Sequence, residues 1–124
     1  MLLTLNSFAY IETPKLAREA FFSAAIPSEK LNRYFALLQT ESYRYGWDMT
    51  FFDVPHPERV RKVPMLVLGA RDDKVISCNE VEETAAAYNV QAEFFSGMAH
   101  DMMLEKDWMK VAERIMNWLR EKRL

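Results

Sequence analysis

Two short apolar runs, "MLVLG" at residues 65–69 and "AEFFSG" at 92–97, constrain the fold more than any other feature of the chain. The first ends at a glycine and is too short for a helix, the pattern of a strand buried on both faces of a parallel sheet. The second reads as another short strand. Parallel strands need a crossover between them. The intervening "SCNEVEETAAAY" supplies one: Ser77 and Glu80 have capping-box spacing, and Val81, Thr84, Ala85 and Tyr88 line one helical face. A last helix, from about Lys106 to Lys122, puts Trp108, Val111, Ala112, Ile115, Trp118 and Leu119 on one stripe. Lys110, Glu113, Arg114 and Arg120 fall largely opposite. Strand, helix, strand, helix predicts a βαβα unit of the α/β class, with a right-handed crossover.

Residues 1–62 have a different texture, helical and aromatic, so the chain divides near residue 63 into 1–62 and 63–124. Thr13 followed by Pro14 predicts a capped helix start, running to about Ala24. A second helix is expected from Ser28, with Leu31, Tyr34, Phe35 and Leu38 at i, i+3, i+4 and i+7. Gly46, Pro55, Pro57 and Pro64 then mark a connector, in which "DVPHPERV" continues neither a helix nor a central strand.

Composition narrows the function classes. A chain of 124 residues fits one domain and is long enough to bury a core. Its net charge of −2 comes from scattered acids and bases, which argues against a nucleic-acid or anionic-membrane surface. The basic end "REKRL" suits the last turn of a helix. A single cysteine, Cys78, excludes an internal disulfide and any Cys-based metal site, and a cytoplasmic location is expected. No signal peptide or membrane span is expected from the apolar runs.

In open parallel sheets, functional groups gather where loops leave the carboxyl ends of the strands. "GARDDKVIS" follows the first strand with Asp72 and Asp73; "SGMAHDMML" follows the second with His100 and Asp101. If the strands are neighbours, an aspartate can face His100. An acid bonded to one imidazole nitrogen fixes the tautomer and leaves the other nitrogen to take a proton from a nucleophile. The alternative is that Asp72 or Asp73 caps the next helix and His100 is a partly buried polar ring.

These residues resemble a family. "VPMLVLGARDDKVIS", a capped helix, and "AEFFSGMAHDMMLEKDWMKVAERIMNWL" are similar to the C-terminal portion of α/β-hydrolase-fold enzymes of the esterase and lysophospholipase-like kind. The positions that carry the resemblance are Gly69, Asp73, Gly97, His100, Trp118 and Leu119. It implies a partial α/β-hydrolase fold: a helical lid-like segment over 1–62, then the βαβα end of the core over 63–124. It also implies Asp73 as catalytic acid and His100 as catalytic base, with Asp72 the alternative acid. Asp73 is preferred because Ser77, four residues on, takes the place of the small residue that closes the family's acid loop.

The serine of such a triad sits on a G-x-S-x-G turn, and this sequence contains none: its glycines are Gly46, Gly69 and Gly97. The family's oxyanion-hole loop is not found either. The expectation is therefore a truncated C-terminal half of a serine esterase or lipase-like hydrolase, a triad remnant inactive alone. It would act on a small ester or acyl substrate only with a complementary N-terminal half. The alternative is a non-catalytic module that binds or self-associates, as a homodimer covering open strand edges. No cofactor or metal is expected, since two histidines and scattered acids show no ligand spacing. Cys78, near a helix start, is a weaker nucleophile candidate, and His56 reads as a surface loop residue. Met98, Met102, Met103 and Met109 either line an acyl pocket or pack in the core. Phe21, Phe22, Tyr34, Phe35, Tyr43, Tyr45 and Trp47 read as a lid face that, in this chain alone, would be exposed or would need a partner.

Overall fold

A computed structural model describes residues 11–39, 56–60 and 62–123. Among them lie five helices and two strands: α1 (Pro14–Phe21), α2 (Ser28–Phe35), α3 (Pro57–Val60), β1 (Val67–Ala70), α4 (Cys78–Ala87), β2 (Ala92–Phe95) and α5 (Trp108–Lys122), with a 3₁₀ turn at Met102–Leu104. The strands pair in parallel, Val67 against Ala92 through Ala70 against Phe95, so the second half is a strand-helix-strand-helix unit in the α/β sense.

Local chemistry accounts for most element ends. The Thr13 hydroxyl accepts the Leu16 amide at 3.2 Å, with Pro14 in the first turn of α1. α1 stops at Phe21, short of the expected Ala24, because Phe22 turns extended and the Ser23 amide donates to the Glu105 carboxylate instead of to a helix carbonyl. α2 ends at Phe35, so Leu38 lies beyond the helix and is exposed, although Leu31 on the same expected stripe is buried. The connector reading of "DVPHPERV" is corrected over its last residues. Pro57 opens the one-turn helix α3, in the first turn, where its missing N–H leaves no intrahelical bond unmade.

α4 carries the capping box that its sequence predicts. The Ser77 hydroxyl accepts the Glu80 amide at 3.3 Å, and the Glu80 carboxylate accepts the Ser77 amide at 2.8 Å. The helix ends at a left-handed Asn89, φ 58°, while the Val90 amide closes back onto the Ala85 carbonyl at 3.0 Å. α4 lies close on the sheet because Gly69 has no side chain: a Cβ there would sit 2.8 Å from the Phe94 ring and 3.0 Å from Val81 Cγ1.

Two apolar clusters form the core. Phe22, Ile26 and Leu31 make one, with Phe21, Tyr34 and Leu104 against it. Ala70, Met98 and Val111 make the other, with Leu68, Phe95 and Met102. The expected exposed lid face is thus corrected in part: Phe22 is only 6% exposed, because Ile26 and Leu31 of its own segment cover it. Tyr43, Tyr45 and Trp47 lie outside the described residues. The stripe expected on α5 is rotated. Val111 is buried, but Trp108 and Ile115 are exposed, while Arg114 turns toward β2 and pairs with Glu93 through Nε and Nη2 at 2.6 and 2.5 Å. This two-pronged bond holds the Glu93 carboxyl below the usual carboxylate range. Among the described residues no helix is long and apolar enough to cross a membrane.

Replacing Gly69 by alanine should force the Phe94 ring and Val81 to give way and destabilise the fold by about 1–3 kcal/mol, the usual result of overpacking. Urea denaturation monitored by tryptophan fluorescence measures this, and an unchanged midpoint would refute the close approach of α4 to the sheet.

Candidate functional site

Parallel register brings the two strand ends level, with Ala70 opposite Phe95. The pairing continues past them, since the Arg71 amide donates to the Phe95 carbonyl at 2.9 Å and the Asp72 amide to the Met98 carbonyl at 3.0 Å. The acid loop and the histidine loop are therefore tied edge to edge. Asp73 then folds into an Asx turn: its Oδ1 accepts the amides of Val75 and Ile76 at 2.8 and 3.0 Å. In the other loop Gly97 adopts φ +73°, a left-handed turn that any larger residue takes at a cost. Between these two turns, His100 Nδ1 lies 3.0 Å from Asp73 Oδ2.

Of the two adjacent acids, the loop turns Asp73 toward the histidine and leaves Asp72 exposed, its backbone amide spent on Met98. The Asp73 side chain is 9% exposed and that of His100 30%. With Oδ1 occupied by two amides, only Oδ2 faces the imidazole, and an Nδ1–H donating to it leaves Nε2 as the basic nitrogen. Among the described residues nothing hydrogen-bonds Nε2. The Phe21 ring stands 5.8 Å from the imidazole at 35°, placing an apolar wall from α1 beside it. The pair can hold one tautomer, accept a proton at Nε2 and stabilise the resulting imidazolium.

The neighbouring Asp101 amide donates to the Phe21 carbonyl at 2.9 Å. Its carboxyl is pushed above the ordinary aspartate range, first by burial, with Asp73 and Glu105 adding in the same direction against the opposing pull of His100.

Glu105 is the residue that sequence reasoning missed. Its side chain is fully buried, with Oε1 accepting the amides of Ser23 at 2.5 Å and Ala99 at 3.3 Å, and Oε2 accepting the Ser23 hydroxyl at 2.8 Å. Ser23 and Ala99 are buried too, and loss of this acceptor would strand donors at about 1–3 kcal/mol each. The only sequence signal was an acid following three apolar residues, "MMLE", which equally suits a solvent-facing turn.

The remaining candidates disperse. The four methionines do not share a pocket: Met98 is in the core, Met102 packs against it, and Met103 and Met109 are exposed. Cys78 begins α4 with no hydrogen bond to His100 among the described residues. His56 is exposed, with Nδ1 3.3 Å from Glu58. Among the described residues, no group of three His, Cys, Asp or Glu side chains is arranged to hold a metal ion. Comparison with models of protein families, with curated proteins and with solved structures found no match.

Because the Asp101 carboxyl is raised, between its unfolded-state and folded-state pKa the folded chain holds a proton that the unfolded chain has released. Its contribution to stability is complete below about pH 3.9, the ordinary aspartate value, and is lost as pH rises through the folded-state pKa. The depressed carboxyls of Glu80, Glu93 and Asp107 act in the opposite sense, losing their contribution on acidification. They are common to wild type and Asp101→Asn, so the difference between the two isolates Asp101. Asp101→Asn should gain stability relative to wild type between pH 3 and pH 7 in urea titrations; parallel curves would contradict the burial of this carboxyl.

Proposed function

We propose that this chain supplies the acid and base of a hydrolytic acyl-transfer site, with Asp73 orienting His100 so that Nε2 deprotonates a nucleophile. The observation that carries this reading is the 3.0 Å contact between His100 Nδ1 and Asp73 Oδ2, made by loops that leave adjacent ends of two parallel strands. The order strand, acid loop, helix, strand, G-x-x-H loop and closing helix adds the resemblance to the end of an α/β-hydrolase core. The substrate class it suggests is a carboxylic ester or lipid-like acyl compound.

These 124 residues contain no G-x-S-x-G turn, so in this reading the hydroxyl comes from polypeptide outside them. In the assembled site that hydroxyl attacks the acyl carbon while its proton passes to His100 Nε2. The imidazolium, held by Asp73, then returns the proton to the departing alkoxide. A second reading is favoured by a different observation. Trp108, Met109, Ile115 and Met116 are exposed on α5, and the described sheet has only two strands, so the chain can instead be a self-associating module.

The chain alone should hydrolyse an activated ester only at background. Joined by a polypeptide bearing G-x-S-x-G and encoded beside it, it should turn the ester over, with His100→Ala lowering the rate roughly 10²–10⁴-fold. Serine-dependent turnover by this chain alone, or assembled activity indifferent to His100→Ala, would sink the proposal. Light scattering that finds a dimer but no partner-dependent activity would favour the second reading.

A further inference from the structure

We infer that Glu105 is the positioning residue that sets where His100 stands, by pinning the histidine loop to the end of α1. The loop from Gly97 to Asp101 is held on one side by the strand ladder and on the other by the residues that follow α1. Glu105 makes the second hold. One of its oxygens accepts both the Ser23 amide, at 2.5 Å, and the Ala99 amide, at 3.3 Å, and Ala99 immediately precedes His100. The other oxygen accepts the Ser23 hydroxyl at 2.8 Å, and that hydroxyl in turn accepts the Ala25 amide at 3.2 Å.

The residue after His100 is fixed to the same place, since the Asp101 amide donates to the Phe21 carbonyl at 2.9 Å. His100 is thus bracketed by two ties to residues 21–23, one direct between backbones and one through the Glu105 carboxylate, and the Phe21 ring lies beside its imidazole. Nothing in β1 or β2 supplies these ties. The strands bring Asp73 and His100 to the same edge, whereas the segment after α1, through Glu105, decides the angle at which the imidazole meets the carboxylate. A buried carboxylate with three donors has one low-energy placement, so it transmits position without play. Residues 21–23 therefore belong to the site as a fixed wall, which a detachable cover over it would not be.

The inference rests on the acid–base reading of Asp73 and His100, and imidazole ¹⁵N NMR of the full chain separates the two. Only His56 and His100 contribute, and the spectra are recorded at pH 8 for every variant. Wild type should show two widely separated His100 ring resonances, the mark of a single Nδ1–H tautomer. Asp73→Asn should collapse that separation if the pair exists. Glu105→Ala should collapse it as well, toward an averaged imidazole, with Asp73 intact. Glu105→Gln, which keeps an oxygen for the Ser23 and Ala99 amides, should restore most of it. Arg114→Ala, which breaks the Glu93 pair on the far helix, should leave it unchanged. Where Glu105→Ala does not fold, Ser23→Ala carries the test and should narrow the separation in part. A folded Glu105→Ala or Ser23→Ala chain with wild-type His100 resonances, alongside a collapsed Asp73→Asn spectrum, would overturn the positioning role alone. Wild-type resonances in Asp73→Asn would overturn the pair, and the proposed function with it.

Discussion

The parallel pairing of Val67–Ala70 with Ala92–Phe95 is the constraint on which the rest of the second half depends. Because both strands run the same way, both loops leave at the same edge, and the two bonds beyond the strand ends hold them side by side. An antiparallel pair would have sent the acid and the histidine to opposite ends. Gly69 permits this arrangement at close range, for α4 must lie near enough to the sheet that a methyl group would meet both Phe94 and Val81. The capping box at Ser77 and Glu80 fixes where that helix begins, and so limits the length of the acid loop between β1 and α4.

A second constraint is electrostatic. Glu105 lies in the interior with its carboxylate met by two backbone amides and a hydroxyl, which offset the loss of water that an unpartnered acid would suffer there. The arrangement joins the turn after α1 to a stretch far away in sequence, the histidine loop and the 3₁₀ turn that follows it before α5. Leu104, next to Glu105, packs on the Phe22, Ile26 and Leu31 cluster, so the polar tie and the apolar contact act at the same junction. The two halves that the composition shift near residue 63 suggests are therefore connected through buried groups.

Asp73 makes two kinds of contact at once. One carboxylate oxygen closes its own turn and the other faces His100, so the same side chain that shapes the loop orients the ring. The alternative that Asp72 or Asp73 caps α4 is corrected, because Ser77 takes the cap and Asp73 Oδ1 closes its own loop instead. The assignment of Asp73 over Asp72 also depends on this turn, because adjacent residues in a loop point apart and only one can meet the imidazole.

What the sequence determined by itself was largely local and periodic. The strand-helix-strand-helix order, the Thr13 and Ser77 caps and the loops carrying Asp73 and His100 all follow from spacing rules within a few residues. Tertiary structure decided the rest. α1 ends at Phe21 rather than Ala24 because Ser23 finds a better acceptor in Glu105, eighty-two positions away in sequence. α5 turns Arg114 inward because Glu93 waits on β2, and leaves Ile115 outside because the described sheet offers only two strands to cover it. A lone glutamate after "MML" carries no mark of burial, since its partners are backbone amides and a common serine. Periodicity reports which face of an element is apolar; which distant groups meet a polar side chain is settled only when the chain has folded around it.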